Sequence, residues 1–333
     1  MLSKKLMMAP SGIDYPTGEN GLNTIQDFVD GTMGDIRRAA ISEDGKHVYA
    51  IATDLDHVAV INVEDPANMS LVSIYTSAAL DGASGIETYG DYIFVIVGAP
   101  SYHMVSINVA NPSNLVQVDI SSSSSQTFYN DSHTVIKDKI IYTANLTNYV
   151  SAIDVSNPSN LDILDSFDII AGDRLMGICI SDSNNLYIGS EANDRIITVN
   201  AQDPANLVYD TYHNSTMYDH IDNLVYSEGL VYSQRYRYTA ISGTPDYPGG
   251  AYTYLQGLTE EHSGQNTVTF NLLGSTAFVI SNARRYAYDV SDPTVMVGGY
   301  VDKSMNYISY CNVVRDSIMF VLGLNSITSI DIS

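Results

Sequence analysis

The chain has no tryptophan, only two cysteines, and 15 Lys and Arg set against 38 Asp and Glu. Two thiols, Cys179 and Cys311, cannot build a disulfide framework or a cysteine-based zinc site. A net charge of -23 repels phosphate-rich surfaces, and there are too few cations to cluster against one, which excludes nucleic acid and anionic lipid as main partners. No apolar run approaches the ~20 residues of a membrane span, so no membrane insertion is expected. Residues 1–10 are too short for the apolar core of a cleavable secretion signal. Enzyme signatures are missing as well: no P-loop, no dinucleotide glycine fingerprint, no H-E-x-x-H and no G-x-S-x-G. Glutamate is scarce, since 30 of the acids are Asp and 8 are Glu. That imbalance favours turns over helices, because the short Asp side chain bonds back to nearby amides.

What the chain does have is a beat. Pro66, Pro112, Pro158 and Pro204 stand 46 residues apart, each in an Asp/Asn-Pro-Ala/Ser-Asn turn that closes a β-rich segment, with an echo at Asp292-Pro293-Thr294 two periods later. A fixed period of this length, made of strands and turns, marks a propeller or solenoid. Aligned on the prolines, each repeat reads as four strands. In the first, these are 38–42, 48–52, 58–63 and, past Pro66, 71–75.

Two columns hold through the alignment. The second strand carries an aromatic near its start in seven copies: Tyr49, Phe94, Tyr142, Tyr187, Tyr232, Phe278 and Phe320. Large rings bury well between repeats, so this column is expected to pack adjacent units together. The third strand carries Asn62, Asn108, Asp154, Asn200, Asp289 and Asp331 just before the turn, where such side chains satisfy neighbouring amides. The seventh repeat stops after its third strand, while residues 23–30 show the alternation of a fourth strand and precede the first repeat. The fold expected is therefore all-β: a seven-bladed β-propeller of four-stranded blades over residues 21–333, preceded by an arm at 1–20, with an N-terminal strand completing the last blade so that no sheet edge is left open at the seam. Cys179 and Cys311 fall three repeats apart and are expected to be buried free thiols. The fifth repeat is irregular, with Gly243 to Gly250 implying a longer loop.

The strings 47–52 with 60–66, and above all Ala152-Ile153-Asp154-Val155-Ser156-Asn157-Pro158 and Ala287-Tyr288-Asp289-Val290-Ser291-Asp292-Pro293, resemble the LVIVD-repeat family. That resemblance covers nearly the whole chain and implies a β-propeller, with members commonly exported to a surface. It implies no activity, because the matched residues make turns and blade contacts.

Short turns gather at one end of such a ring and longer, dissimilar loops at the other, which is where a binding face is expected. Its candidate residues are Asp54, Asp56, His57, Tyr102, His103, Asn145, Tyr149, Glu191, Asp194, Arg195, Arg235, Tyr236, Arg237, Arg284 and Arg285, rich in the Tyr, Asn and Arg favoured at recognition surfaces. No catalytic residue is identified and no cofactor is required. Glu87, His133 and His220 fall in or beside the inner strands of different blades and form a candidate set for a divalent metal in the central channel. The function expected is a non-enzymatic interaction or structural module presenting its loop-rich face to a protein or glycan partner, within a larger assembly such as a cell surface or virion. Extracellular surface or virion is preferred to cytoplasm. The alternative is a metal-dependent hydrolase or lactonase-like propeller enzyme with its site at the channel mouth. Asn-x-Ser/Thr sequons stand at Asn68, Asn130, Asn145 and Asn214.

Overall fold

The computed structural model describes residues 24–122, 128, 133–169, 174–190, 193, 195–214, 221–227, 229–235, 238–239, 244–245, 260–261, 267–281, 285–290, 297–302 and 309–332. Among them lie six four-stranded antiparallel sheets, one three-stranded sheet and one two-stranded pair, with a single 3-10 turn at Ala78–Leu80. The fold is a β-propeller. The first sheet runs Ile36–Ile41, His47–Ala52, His57–Asn62 and Ser70–Thr76 in sequence order. Its pattern repeats in the second sheet (Ala83–Tyr89 to Val116–Ser122), the third (His133–Lys137 to Asp162–Asp168), the fourth (Leu175–Ile180 to Val208–Asn214) and the sixth (Thr267–Leu273 to Val297–Asp302). The fifth sheet pairs Ile221–Ser227, Leu230–Arg235 and Thr244–Pro245. First strands of successive sheets adjoin one another, and that of the closing sheet adjoins that of the first.

Packing between sheets explains the composition of the strands. Second and third strands are buried on both faces, as in His47–Ala52 and His57–Asn62, so they read as nearly unbroken apolar runs rather than alternating ones. All seven aromatics of the column are buried. Tyr49 shares a core with Ile93, Val95 and Val105 of the second sheet, and Phe94 with Ile141 and Ile153 of the third. Tyr142 lies with Leu175 and Leu186, Tyr187 with Leu224 and Val231, and Phe278 with Met319 and Val321. The pattern turns the corner at the seam, where Phe320 of the closing sheet joins Val48 and Ala50 of the first. These six rings therefore fill the gap toward the following sheet, and burial of one such side chain contributes about 1.5–3 kcal/mol.

The proline turns do two jobs. Within a sheet, Asn62, Asn108, Asp154 and Asn200 accept from the amides two residues on, and Asp65, Asn111, Asn157 and Asp203 do the same one step later. Between sheets, each turn is clasped by the sheet before it. Ser329 Oγ donates to the Pro66 carbonyl at 2.6 Å, Ser73 Oγ to Pro112 at 2.6 Å and Ser106 Oγ to Pro158 at 2.5 Å. Three residues past the proline, the amide of Met69 donates to Gln26, that of Leu161 to Asp119 and that of Leu207 to Asp165.

The seam is closed by the start of the chain. The closing sheet runs Ser309–Arg315, Ile318–Gly323, Ser326–Asp331 and then Thr24–Val29. Asp27 pairs with Thr328 and Phe28 with Ile327, and Thr328 Oγ1 donates to Asp27 at 2.6 Å. The connection back to the first sheet is bonded in both directions: Gly34 N–H donates to Asn325 Oδ1, and Asn325 N–H donates to the Gly34 carbonyl, each at 2.8 Å. Gly34 has φ +74, and a side chain there would meet Leu55, Ala52 and Asp54 at under 3 Å. Arg315 spans the same seam, donating to the carbonyls of Gly45 and Val63.

A chain lacking residues 1–30 is expected to lose the cooperative unfolding transition in calorimetry. Ser329→Ala, which removes the donor to Pro66, should cost about 1–3 kcal/mol in denaturant titration; an unchanged midpoint in either case would overturn the seam assignment.

Candidate functional site

Connectivity separates the two ends of the propeller. Turns between first and second strands and the proline turns fall at one end, which the clasps above consume. Connections from second to third strands, and from fourth strands to the next sheet, fall at the other. At this loop end the turn 53–56 exposes Asp54 and Leu55, the latter 45% accessible. Leu324 of the closing sheet is 48% accessible and bridges to Asp35, so it stands beside the same connection. Asp54 Oδ1 accepts from the Asp35 amide at 2.9 Å. Asp56 and Tyr102 are half-buried and adopt φ +49 and +47, the left-handed conformation that tight loops demand.

Other candidates turn inward, which corrects the expectation that they present side chains to a partner. His57 is 3% accessible, and its Nε2 lies 2.9 Å from the Met33 carbonyl; His103 is buried with Nε2 2.7 Å from the Ala79 carbonyl. Both tie the incoming connection to the third strand of their own sheet. Asn145 is fully buried and caps its own turn, accepting from Thr147 N–H at 2.9 Å and Thr147 Oγ1 at 2.7 Å, so its sequon offers no accessible amide. Arg195 is buried with its guanidinium 4.8 Å from the Tyr212 ring. Tyr149 is half-buried. His57, His103, Tyr149 and Arg195 each open a third strand and are spaced by 46 residues. They belong to the repeat, and that shared spacing is the signal that identifies them as scaffold. Arg235 and Arg285 lie at strand ends. Glu191, Asp194, Tyr236, Arg237, Arg284 and His220 lie outside the described residues.

The channel candidates find different neighbours. Glu87 Oε1 accepts from Thr134 Oγ1 of the third sheet at 2.7 Å, and the walls around it exclude enough water to push its carboxyl up to about 7. The same register recurs between the sixth and closing sheets as Asn271 Nδ2 donating to Asn312 Oδ1 at 2.9 Å. His133 is held down to about 3, by burial first and then by the charge of Arg38. Among the described residues no group of three or more His, Cys, Asp or Glu is placed to hold a metal ion. Cys179 and Cys311 are buried and in no disulfide, as expected, and burial pushes the Cys311 thiol up to about 12.

No protein-family model matches the chain, and no curated protein matches its sequence. Solved structures do match. A chain of the Mitotic Checkpoint Complex is similar at a TM-score of 0.72 and 9% identity, covering 99% of this chain and 98% of that one. YCF48 bound to D1 peptide is similar at 0.67 and 10%, over 96% and 98%, and Sqt1 of Saccharomyces cerevisiae at 0.63 and 11%, over 88% and 82%. These neighbours are β-propeller proteins, and at such identities the likeness shows the fold alone.

Because folded Glu87 keeps its proton up to about 7, whereas an unfolded glutamate releases it near 4.5, the fold loses stability as pH rises between those values. Glu87→Gln retains an acceptor for Thr134 and removes that loss. Denaturant midpoints should nearly coincide at pH 4.5 and favour the variant at pH 8; parallel profiles would show that the carboxyl ionises in the fold without penalty.

Proposed function

We propose that the protein is a non-enzymatic interaction module: a ring of seven blades over residues 21–333, built on LVIVD-like repeats, whose loop end receives a protein partner. The observation that carries this reading is the unequal use of the two ends. At the turn end, serine hydroxyls, carboxylates and amides are spent on clasping one sheet to the next. At the loop end, Leu55 and Leu324 both stand exposed beside the Gly34–Asp35 connection, which bonds to Asn325 and Asp54. A solvent-facing apolar pair with a polar rim, held by a stiff scaffold, is what a recognition surface requires.

The likenesses support the class of partner. One similar propeller is solved with D1 peptide bound and another within a checkpoint complex, so protein is preferred to glycan. The setting proposed is an assembly on an extracellular surface or virion, with 1–20 as a separate arm. No helix among the described residues is long and apolar enough to cross a membrane.

Cross-linking in the native setting, followed by titration of the identified partner, tests the reading. Leu55→Glu combined with Leu324→Glu should weaken the complex by about tenfold or more, whereas Glu64→Ala at the turn end should leave it intact. A complex that survives the loop-end change but fails with the turn-end change would reverse the assignment, and saturable binding on a glycan array with no protein captured would replace the partner class.

A further inference from the structure

Two residues past each buried aromatic, the second strand pairs with a first-strand residue at the loop-end mouth of the central channel. In the first three sheets these are Arg38 opposite Ile51, Gly85 opposite Ile96 and His133 opposite Ala144; in the closing sheet it is Cys311 opposite Leu322. Gly85 places no side chain between Arg38 and His133. Arg38 donates from Nη1 to the Arg37 carbonyl at 3.0 Å, and the ion pairs among the described residues are Arg37 with Asp35 and Lys46 with Glu64. No described carboxylate neutralises Arg38. Glu87, two residues on from Gly85, is engaged by Thr134, and its proton affinity is set by burial and that bond alone. The charge of Arg38 is felt at both His133 and Cys311. Cys311 lies in the closing sheet, next to that of Arg38 on one side, and His133 in the third sheet, two on from it on the other, so the guanidinium lies toward the lumen. His133 Nε2 is buried with no hydrogen-bond partner, an arrangement that is costly unless something fills it.

We propose that this channel mouth binds a small carboxylate anion, gripped by the guanidinium fork of Arg38 and accepting a hydrogen bond from His133 Nε2–H. The planar fork matches a carboxylate with two parallel bonds, and the neutral imidazole supplies a donor without a second charge. One cation balances one anion. A divalent metal at the same place meets the charge of Arg38 unshielded, and a dianion adds surplus negative charge to a chain already at -23. The site goes beyond the partner surface proposed above, because it lies inside the ring and engages neither Leu55 nor Leu324.

Titration calorimetry with sodium acetate at fixed ionic strength, together with NMR of the His133 ring, tests the assignment. Acetate should bind saturably at one site, and the His133 ring signals should shift with the same isotherm. Arg38→Met should weaken binding by about tenfold or more, and Lys46→Met, which breaks only a surface pair, should leave it unchanged. Should Arg38→Met fail to fold, Arg38→Lys keeps the charge but loses the fork and should still weaken binding. Absence of saturable acetate binding, equal affinity in the wild type and the Arg38 variants, or a His133 signal that does not move would overturn the site. Equal affinity for chloride or sulfate would overturn the carboxylate assignment.

Discussion

The four-stranded sheets of this protein cannot stand alone, because their two middle strands are buried on both faces and depend on a neighbour to keep water off each side. That dependence governs the remainder of the structure. An aromatic in the second strand of six sheets leans into the following one, so each of them supplies part of the core of the next, and Phe320 passes the obligation back to the first. Hydrogen bonds refine the arrangement. A serine from the preceding sheet reaches the proline carbonyl, and a carboxylate or amide reaches the turn's exit N–H. Burial sets the distance between sheets, while these directional bonds set their angle, since a turn rotated out of line would lose the serine donor and the side-chain acceptor at once.

The same clasping divides the molecule into a structural end and a free end. Where turns are short, most of their polar groups are already bonded within the turn or to the neighbouring sheet. Loop-end connections carry more variety, yet even there the residues that look most like ligands often serve the scaffold. The histidines that open two third strands are buried against backbone carbonyls. Leu55 and Leu324 remain exposed beside the seam, and in the channel lining a cation without a carboxylate and an imidazole without a partner among the described residues share one register.

How much of this was legible in the sequence depends on whether the signal was periodic. The four-strand unit, the buried aromatic column, the Asn and Asp residues that bond back to turn amides and the N-terminal strand of the closing sheet can all be read from the proline beat, because repetition averages away the noise of any single strand. His57, His103 and Arg195 lie on that beat too, and reading them by residue type rather than by spacing put buried side chains among the candidates for the binding surface. The serine clasps are harder to see. Ser106 and Ser329 occupy the third strand, whereas in the first sheet Val60 stands at that place and Ser73, opposite it on the fourth strand, reaches the next turn instead. A function preserved by moving the hydroxyl across a strand pair leaves no column in an alignment. Arg38 and Gly85 are likewise invisible singly, since their meaning lies in what each places beside the other.

The strand Thr24–Val29 leaves a ribosome long before the strand that receives it, Ser326–Asp331. Gln26 and Ser329, which bond across the seam, are 303 residues apart. At synthesis rates of about 5–20 residues per second, the early strand waits on the order of 15–60 s for its mate. Throughout that interval every nascent molecule exposes one unsatisfied edge on Thr24–Val29 and one uncovered apolar face on its newest sheet, so newborn chains crowded on a single message meet one another with complementary surfaces before each can satisfy its own.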